Sequence, residues 1–156
     1  CAMNGNARKL QRAVEKHKAV GIDTAPFIYF IEDVNPYADL LEPVFDRLEK
    51  HALRGVTSTV TVAEILTKPL ADKNFGLVDE IKFTLKTFAA LSVVTIDEKL
   101  AEAAALIRAR YRVRLPDALQ IAAAIAGEAT LFLTNDKRLK KIDAIEVLVL
   151  DDYLGP

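Results

Sequence analysis

The segment PDALQIAAAIAGEATLFLT, Pro116 to Thr134, sets a helix against a strand. Proline opens its alanine-rich half and Gly127 closes it, and both residues stand where a helix favours them. Thr130–Thr134 then predicts a strand. A helix that feeds a parallel strand runs antiparallel to it, so the helix start and the strand end share one edge. Asp117 at the helix start and Asp136 just past the strand are therefore expected at the same rim.

The rest of the chain repeats this alternation. Strands are expected at Val20–Asp23, Val56–Ser58, Leu91–Thr95 and Glu146–Leu150, the β-branched run at Leu91 being a clear example. Helices are expected at Asn6–Lys18, Pro26–Glu32 and Pro36–Leu53, the last ended by Gly55. Further helices are expected at Val62–Leu66, stopped before Pro69, and at Asn74–Ala90, Asp97–Tyr111 and Asp136–Lys141. Asp97 precedes the helix of Asp97–Tyr111 as its N-cap. Strands alternating with helices predict an α/β domain, an open parallel sheet with helices on both faces. No repeat, linker or low-complexity stretch divides it.

Composition limits the function classes. The chain has 156 residues, 51% hydrophobic and 28% charged, which suits one domain with a sizeable core. Twenty-one basic and 22 acidic side chains give a net charge of −1, so the chain does not coat nucleic acid through global charge. Its one cysteine, Cys1, excludes an internal disulfide and a cysteine metal cluster. No apolar run is long enough to span a bilayer, and CAMNGNARKLQ lacks the apolar core of a signal peptide, so a cytoplasmic protein is expected. Met3, the only methionine, is the expected natural start. His17 and His51 have no second ligand four residues away, which leaves little for a zinc site or a serine-histidine triad.

Four acids remain. Asp23 closes the first strand, Glu64 follows the second by about one helical turn, and Asp117 and Asp136 flank the fourth. In an open parallel sheet, active groups gather beyond the carboxyl ends of the strands, which places all four on one edge. Each also has a local explanation. Asp23 and Asp136 can cap helices, Glu64 completes a capping-box spacing with Thr61, and Asp117 favours a positive helix end. Those local roles do not explain why four such ends face one another. Clustered carboxylates repel and raise one another's pKa, and a hard divalent ion held by oxygens, Mg²⁺ or Mn²⁺, relieves this. Such an ion stabilises in-line displacement at phosphorus, the chemistry of a nuclease.

The set IDTAPFIYFIE, TSTVTVAEIL, LPDALQIAAAIA and LFLTNDKRL resembles the PIN-domain ribonucleases, especially the VapC-type toxins of prokaryotic toxin-antitoxin pairs. The resemblance runs from about Gly21 to Leu150 and implies a five-stranded sheet, with residues 20–156 as the PIN-like domain and 1–19 as a partly helical extension. It implies that Asp23, Glu64, Asp117 and Asp136 surround a Mg or Mn ion, with Ser58 and Thr134 in support. It further implies cleavage of single-stranded RNA, an antitoxin partner and a homodimer.

Arg112 and Arg114 lead directly into Asp117 and are candidate phosphate contacts, although runs of charge usually form solvated faces. Tyr111 can stack on a base or belong to the core. A response-regulator receiver needs adjacent acids after the first strand, and a haloacid-type phosphatase needs a second aspartate two residues after Asp23; neither is present. No glycine-rich phosphate loop occurs. The remaining alternative is a PIN-like domain that binds RNA or protein without cleaving, its acids serving as caps.

Overall fold

The computed structural model describes residues 4–155, so Cys1, Ala2 and Met3 and the expectations attached to them lie outside the described residues. In chain order the elements are α1 (Gly5–Val14), β1 (Ala19–Ile22), α2 (Thr24–Ile31), α3 (Tyr37–Glu49), β2 (Arg54–Ser58), α4 (Thr59–Ala71) and α5 (Phe75–Thr87). They continue with β3 (Leu91–Val94), α6 (Glu98–Tyr111), α7 (Leu115–Ala126), β4 (Leu131–Thr134) and β5 (Glu146–Val149), with 3₁₀ turns at Lys137–Lys141 and Leu150–Tyr153. The five strands form one sheet in the order β3-β2-β1-β4-β5, every pair parallel. The expected open parallel α/β sheet is the observed one. None of the described helices is long and apolar enough to cross a membrane.

Side chains alternate between the two faces of a strand, and the core divides accordingly. On one face Val20, Ile22, Leu131 and Leu133 meet Leu10 and Val14 of α1, Phe45 of α3 and Ile81 of α5. On the other, Ala19 and Phe132 meet Ala118, Ile121 and Ala122 of α7 and Leu100 and Ala104 of α6. Gly21 explains how closely α7 rides on β1. A Cβ added there would stand 2.5 Å from the Ala124 Cβ and 2.9 Å from the Phe132 ring, so alanines on the helix and glycine on the strand are one packing solution.

Three local expectations are corrected. Gly55 does not end α3; the helix stops at Glu49, and His51 takes the left-handed conformation with φ 55. Gly55 lies inside β2, paired with Val20 and Leu91, where Leu48 and Leu91 side chains would crowd a Cβ at 3.1 Å. Pro69 does not stop α4, which continues to Ala71. Proline lacks the amide hydrogen that would donate to Ile65 O, and its ring crowds that carbonyl, but the turn beyond it is kept. The Asp72 amide still donates to Lys68 O and the Asn74 amide to Pro69 O, closing the last turn. Finally, α2 starts at Thr24, directly after Asp23, two residues ahead of Pro26.

Candidate functional site

The chain builds outward from β1 to β2 and β3, then crosses back to add β4 and β5 on the other side. Beside β1 lies the switch point, where an open α/β sheet leaves a crevice at its carboxyl edge. The crevice is present, a cleft of about 300 Å³ lined by Asp23, Glu64, Asp117 and Asp136 with Thr24, Tyr29, Arg114, Thr134 and Asn135 among its walls. Four elements thus bring the four acids to one place.

Asp23 is the N-cap of α2, its Oδ1 accepting from the Thr24 amide at 2.9 Å. Its other oxygen accepts from the Thr134 hydroxyl at the end of β4, at 2.7 Å. The Thr134 hydroxyl oxygen accepts in turn from the Asp136 amide at 3.1 Å. One hydroxyl therefore ties the end of β1 to the turn after β4. Burial pushes the Asp23 carboxyl above its ordinary pKa, the two hydrogen bonds oppose this, and the Asp117 and Asp136 charges add to it.

Glu64 lies in the second turn of α4. The capping box with Thr61 is absent: the N-cap is Ser58, whose Oγ accepts from the Val60 amide at 3.1 Å, and Thr61 is buried inside the helix. Glu64 Oε1 accepts from the Thr24 hydroxyl at 3.3 Å. Its pKa is raised, first by burial and then by the negative charge of Asp23. A carboxyl gains protonated character when desolvated beside another.

Beneath these two acids lies a buried polar layer. The Thr57 hydroxyl donates to Ile22 O at 2.9 Å and stands 2.8 Å from the Thr61 hydroxyl. The Gln120 amide nitrogen donates to Thr61 at 2.6 Å and to Thr24 at 3.3 Å, while Gln120 Oε1 accepts from the Ser58 hydroxyl at 2.6 Å. Buried polar groups persist where each finds a partner, and this layer locks β2, α4, α7 and α2 together. Thr57 and Gln120 were not singled out in the sequence, and Thr61 was read only as a capping residue. The available signal was Gln120, a polar residue one turn after Asp117 within an otherwise apolar helix face.

Asp117 occupies the first turn of α7 and is 7% exposed. Arg114 embraces it, Nε at 3.0 Å from Oδ2 and Nη2 at 3.4 Å from Oδ1. Asp136 caps the 3₁₀ turn and is held by Arg138, whose Nη2 lies 2.6 Å from Oδ2. That guanidinium, foremost among its neighbours, holds the Asp136 carboxyl below its ordinary range.

The remaining candidates fall around this centre. Ser58 is fully buried under the cleft, and Thr134 lines it. Arg114 lines it as well, whereas Arg112 ends α6 in the left-handed conformation and is not among the lining residues. The Tyr111 hydroxyl donates to Asp143 beside Arg110. As a donor set, four carboxylates and two threonine hydroxyls offer only oxygen, which fits a hard divalent cation. Among the described residues, however, no three His, Cys, Asp or Glu side chains stand close enough together to hold an ion as they are placed. Two of the four are engaged by arginines instead.

Fold and cleft together define an open α/β domain with an acidic crevice at its carboxyl rim. The chain belongs to the PIN-domain family, whose model matches residues 20–145. Nothing among curated proteins matches it. In fold it is similar to a chain of a toxin-antitoxin complex from Klebsiella pneumoniae, with a TM-score of 0.63 and 20% identity over 85% of this chain and 97% of that one. It is similar to a chain of VapBC2 from Rickettsia felis bound to a promoter DNA fragment, TM-score 0.61 and 18% identity over 84% and 98% of the two chains. A chain of DNA-bound VapBC from Salmonella typhimurium gives 0.61 and 18% over 85% and 98%.

Proposed function

We propose that this protein is a Mg²⁺- or Mn²⁺-dependent endoribonuclease that cleaves single-stranded RNA in the cytoplasm. The observation that carries the reading is the convergence of Asp23, Glu64, Asp117 and Asp136, from four separate elements, on one cleft. These four would hold the ion. When bound, it would supply charge stabilisation at the reacting phosphorus and ease deprotonation of a water. The chain's own groups do the positioning. Thr24 and Thr134 fix both oxygens of Asp23, the Gln120 layer fixes Thr24 and through it Glu64, and Arg114 stands ready for phosphate at the cleft edge. Ser58 supports from below through Gln120. Arg112 is the weaker phosphate candidate.

The similar structures are a toxin-antitoxin complex and two VapBC complexes, which supports an antitoxin partner that covers this cleft. A homodimer is the companion proposal, with α3 and α5 as contact surfaces; Phe75 and Phe83 of α5 are 62% and 67% exposed. Incubation of a mixed RNA pool with Mn²⁺, Mg²⁺ or excess EDTA tests the activity. Cleavage is expected with metal and absent with chelator, and cleavage that persists in EDTA sinks the mechanism. Light scattering and copurification from the native host test the partners.

A second reading has one observation in its favour. Arg114 and Arg138 occupy two of the four acids, as they would in a PIN-like domain that binds RNA or protein without cutting. Absence of Mn²⁺ binding by calorimetry would favour it.

A further inference from the structure

The two halves of the acidic cleft are held by different chemistry. Asp23 and Glu64 receive only neutral donors, an amide and two hydroxyls. Asp117 and Asp136 each carry a guanidinium. Arg138 Nε stands 2.9 and 3.1 Å from the two Asp136 oxygens, and its Nη2 adds a 2.6 Å contact. Arg114 forks Asp117 at 3.0 and 3.4 Å. A guanidinium fork engages the carboxylate lone pairs that a hard cation would also use. Both arginine side chains are largely exposed, 63% for Arg114 and 67% for Arg138, while the side chains alone of Asp117 and Asp136 are 9% and 20% exposed. The fixed partner is the acid; the arginine sits at the end of a long chain in solvent, where an ion pair is weakly held.

We propose that Arg114 and Arg138 are exchangeable counter-ions, which compete with the divalent cation for Asp117 and Asp136 and, once displaced, turn to the phosphates of the bound strand. This inference rests on the metal-dependent reading above. It accounts for an acid set that is suited to a metal by chemistry yet not gathered around one. Neither arginine is a catalytic residue in this role; each acts through the aspartate it releases.

Calorimetric titration of Mn²⁺ into the full chain tests it, comparing wild type with Arg138→Gln, Arg114→Gln, Arg138→Lys and a control, Arg110→Gln. Arg110 pairs with Asp143, and its substitution removes the same charge. Loss of a weak competing pair should tighten Mn²⁺ binding about three- to fivefold in both Gln variants. Arg138→Lys should show a large part of that gain, since an ammonium keeps the charge but cannot fork. The control should match wild type. Nitrogen-15 spectra supply an independent reading: the Arg114 and Arg138 Nε–H signals should shift on saturation with Mg²⁺, with Arg110 unmoved. Equal Mn²⁺ affinity throughout overturns the proposal, and so does a control that gains as much as Arg138→Gln, which would reduce the effect to bulk charge. Weaker binding in the Gln variants overturns it too. Should Mn²⁺ bind none of the proteins, wild type included, the metal-dependent reading fails and takes this inference with it.

Discussion

The two rims of the sheet are opposites. The carboxyl rim has a cleft of about 300 Å³ walled by acids; the amino rim has a hollow of about 630 Å³ whose walls include Lys18, Arg47, Arg54, His17 and His51, with Glu15. Size alone would point to the amino rim. Most of the charges there, however, have local work. Arg47, in the last turn of α3, pairs with Glu15 and donates to Ala52 O, and Arg54 donates at 2.8 Å to Gly127 O just past the end of α7. Bases at helix C-termini complement the backbone dipole. His17 Nδ1 lies 2.8 Å from the Thr130 hydroxyl, and its Nε2 approaches Glu146 Oε2 at 3.1 Å. At the carboxyl rim, Asp23 caps its helix and still faces Glu64, Asp117 and Asp136. The lesson is to look for charge left over after the caps are accounted for, rather than for the largest hollow.

Four substitutions or titrations can break this contrast. The largest effect is expected from Asp23→Asn. Asparagine caps a helix as well as aspartate does, so α2 should survive while cleavage of the RNA pool falls on the order of a thousandfold, as expected when a metal ligand is lost. Metal-free melting should be no lower than wild type, because a desolvated charge has been removed. An active variant would return Asp23 to a purely capping role, and one that melts well below wild type would show that the carboxylate itself, through its bond from Thr134, supports the fold.

Next is Gln120→Leu, which strips partners from the Ser58, Thr61 and Thr24 hydroxyls at once. Burying such groups unpaired should cost about 2 to 3 kcal/mol in urea unfolding. A cost below about 0.5 kcal/mol would show that the layer tolerates a gap.

The third test is pH. Asp23 and Glu64 are raised above ordinary values of 3.8 and 4.5, so in that range the folded chain holds more protons than the unfolded one. Stability of the chelator-treated protein from these two groups is then greatest at low pH and declines as pH rises from about 4 through their raised values. Asp136, lowered by Arg138, works the other way; its contribution is lost as pH falls. The difference between wild type and Asp23→Asn isolates the first trend. Wild type should lose ground to the variant on going from about pH 4 to pH 7 in thermal melts, and a constant difference refutes the assignment.

The smallest effect is expected at the other rim. Arg54→Gln should change stability by no more than about 1 kcal/mol and leave cleavage within about twofold of wild type. A large loss of activity there would move attention to the amino rim.

Much of this was legible in the residues. Pro116 and Gly127 bracket α7 within one residue, and Asp97 caps α6 with its Oδ1 on the Leu100 amide. The alternation of elements carried the sheet, and the sheet carried the four acids to one rim. What misled was punctuation read without tertiary context. Gly55 has the composition of a helix stop, yet it serves close packing within β2, and no described glycine has positive φ. Thr61 and Glu64 have a capping-box spacing, but the cap lies three residues earlier at Ser58, and Thr61 turns into the buried layer. The arginines on Asp117 and Asp136 lay in plain view at close spacing. Their engagement depends on which way long side chains fold back, which no local pattern specifies.

The distribution of the acids along the chain has a consequence for synthesis. Asp23 and Glu64 are made early, but the residues that complete the cleft, Asp117 and Asp136, come from α7 and the turn after β4, and β4 must pair with β1 before Thr134 can reach Asp23. A partly made chain therefore carries a half-set of carboxylates with no cleft around them. For a protein proposed to cut RNA, this order keeps each emerging copy inert beside its own message until the central strand has found its late neighbour.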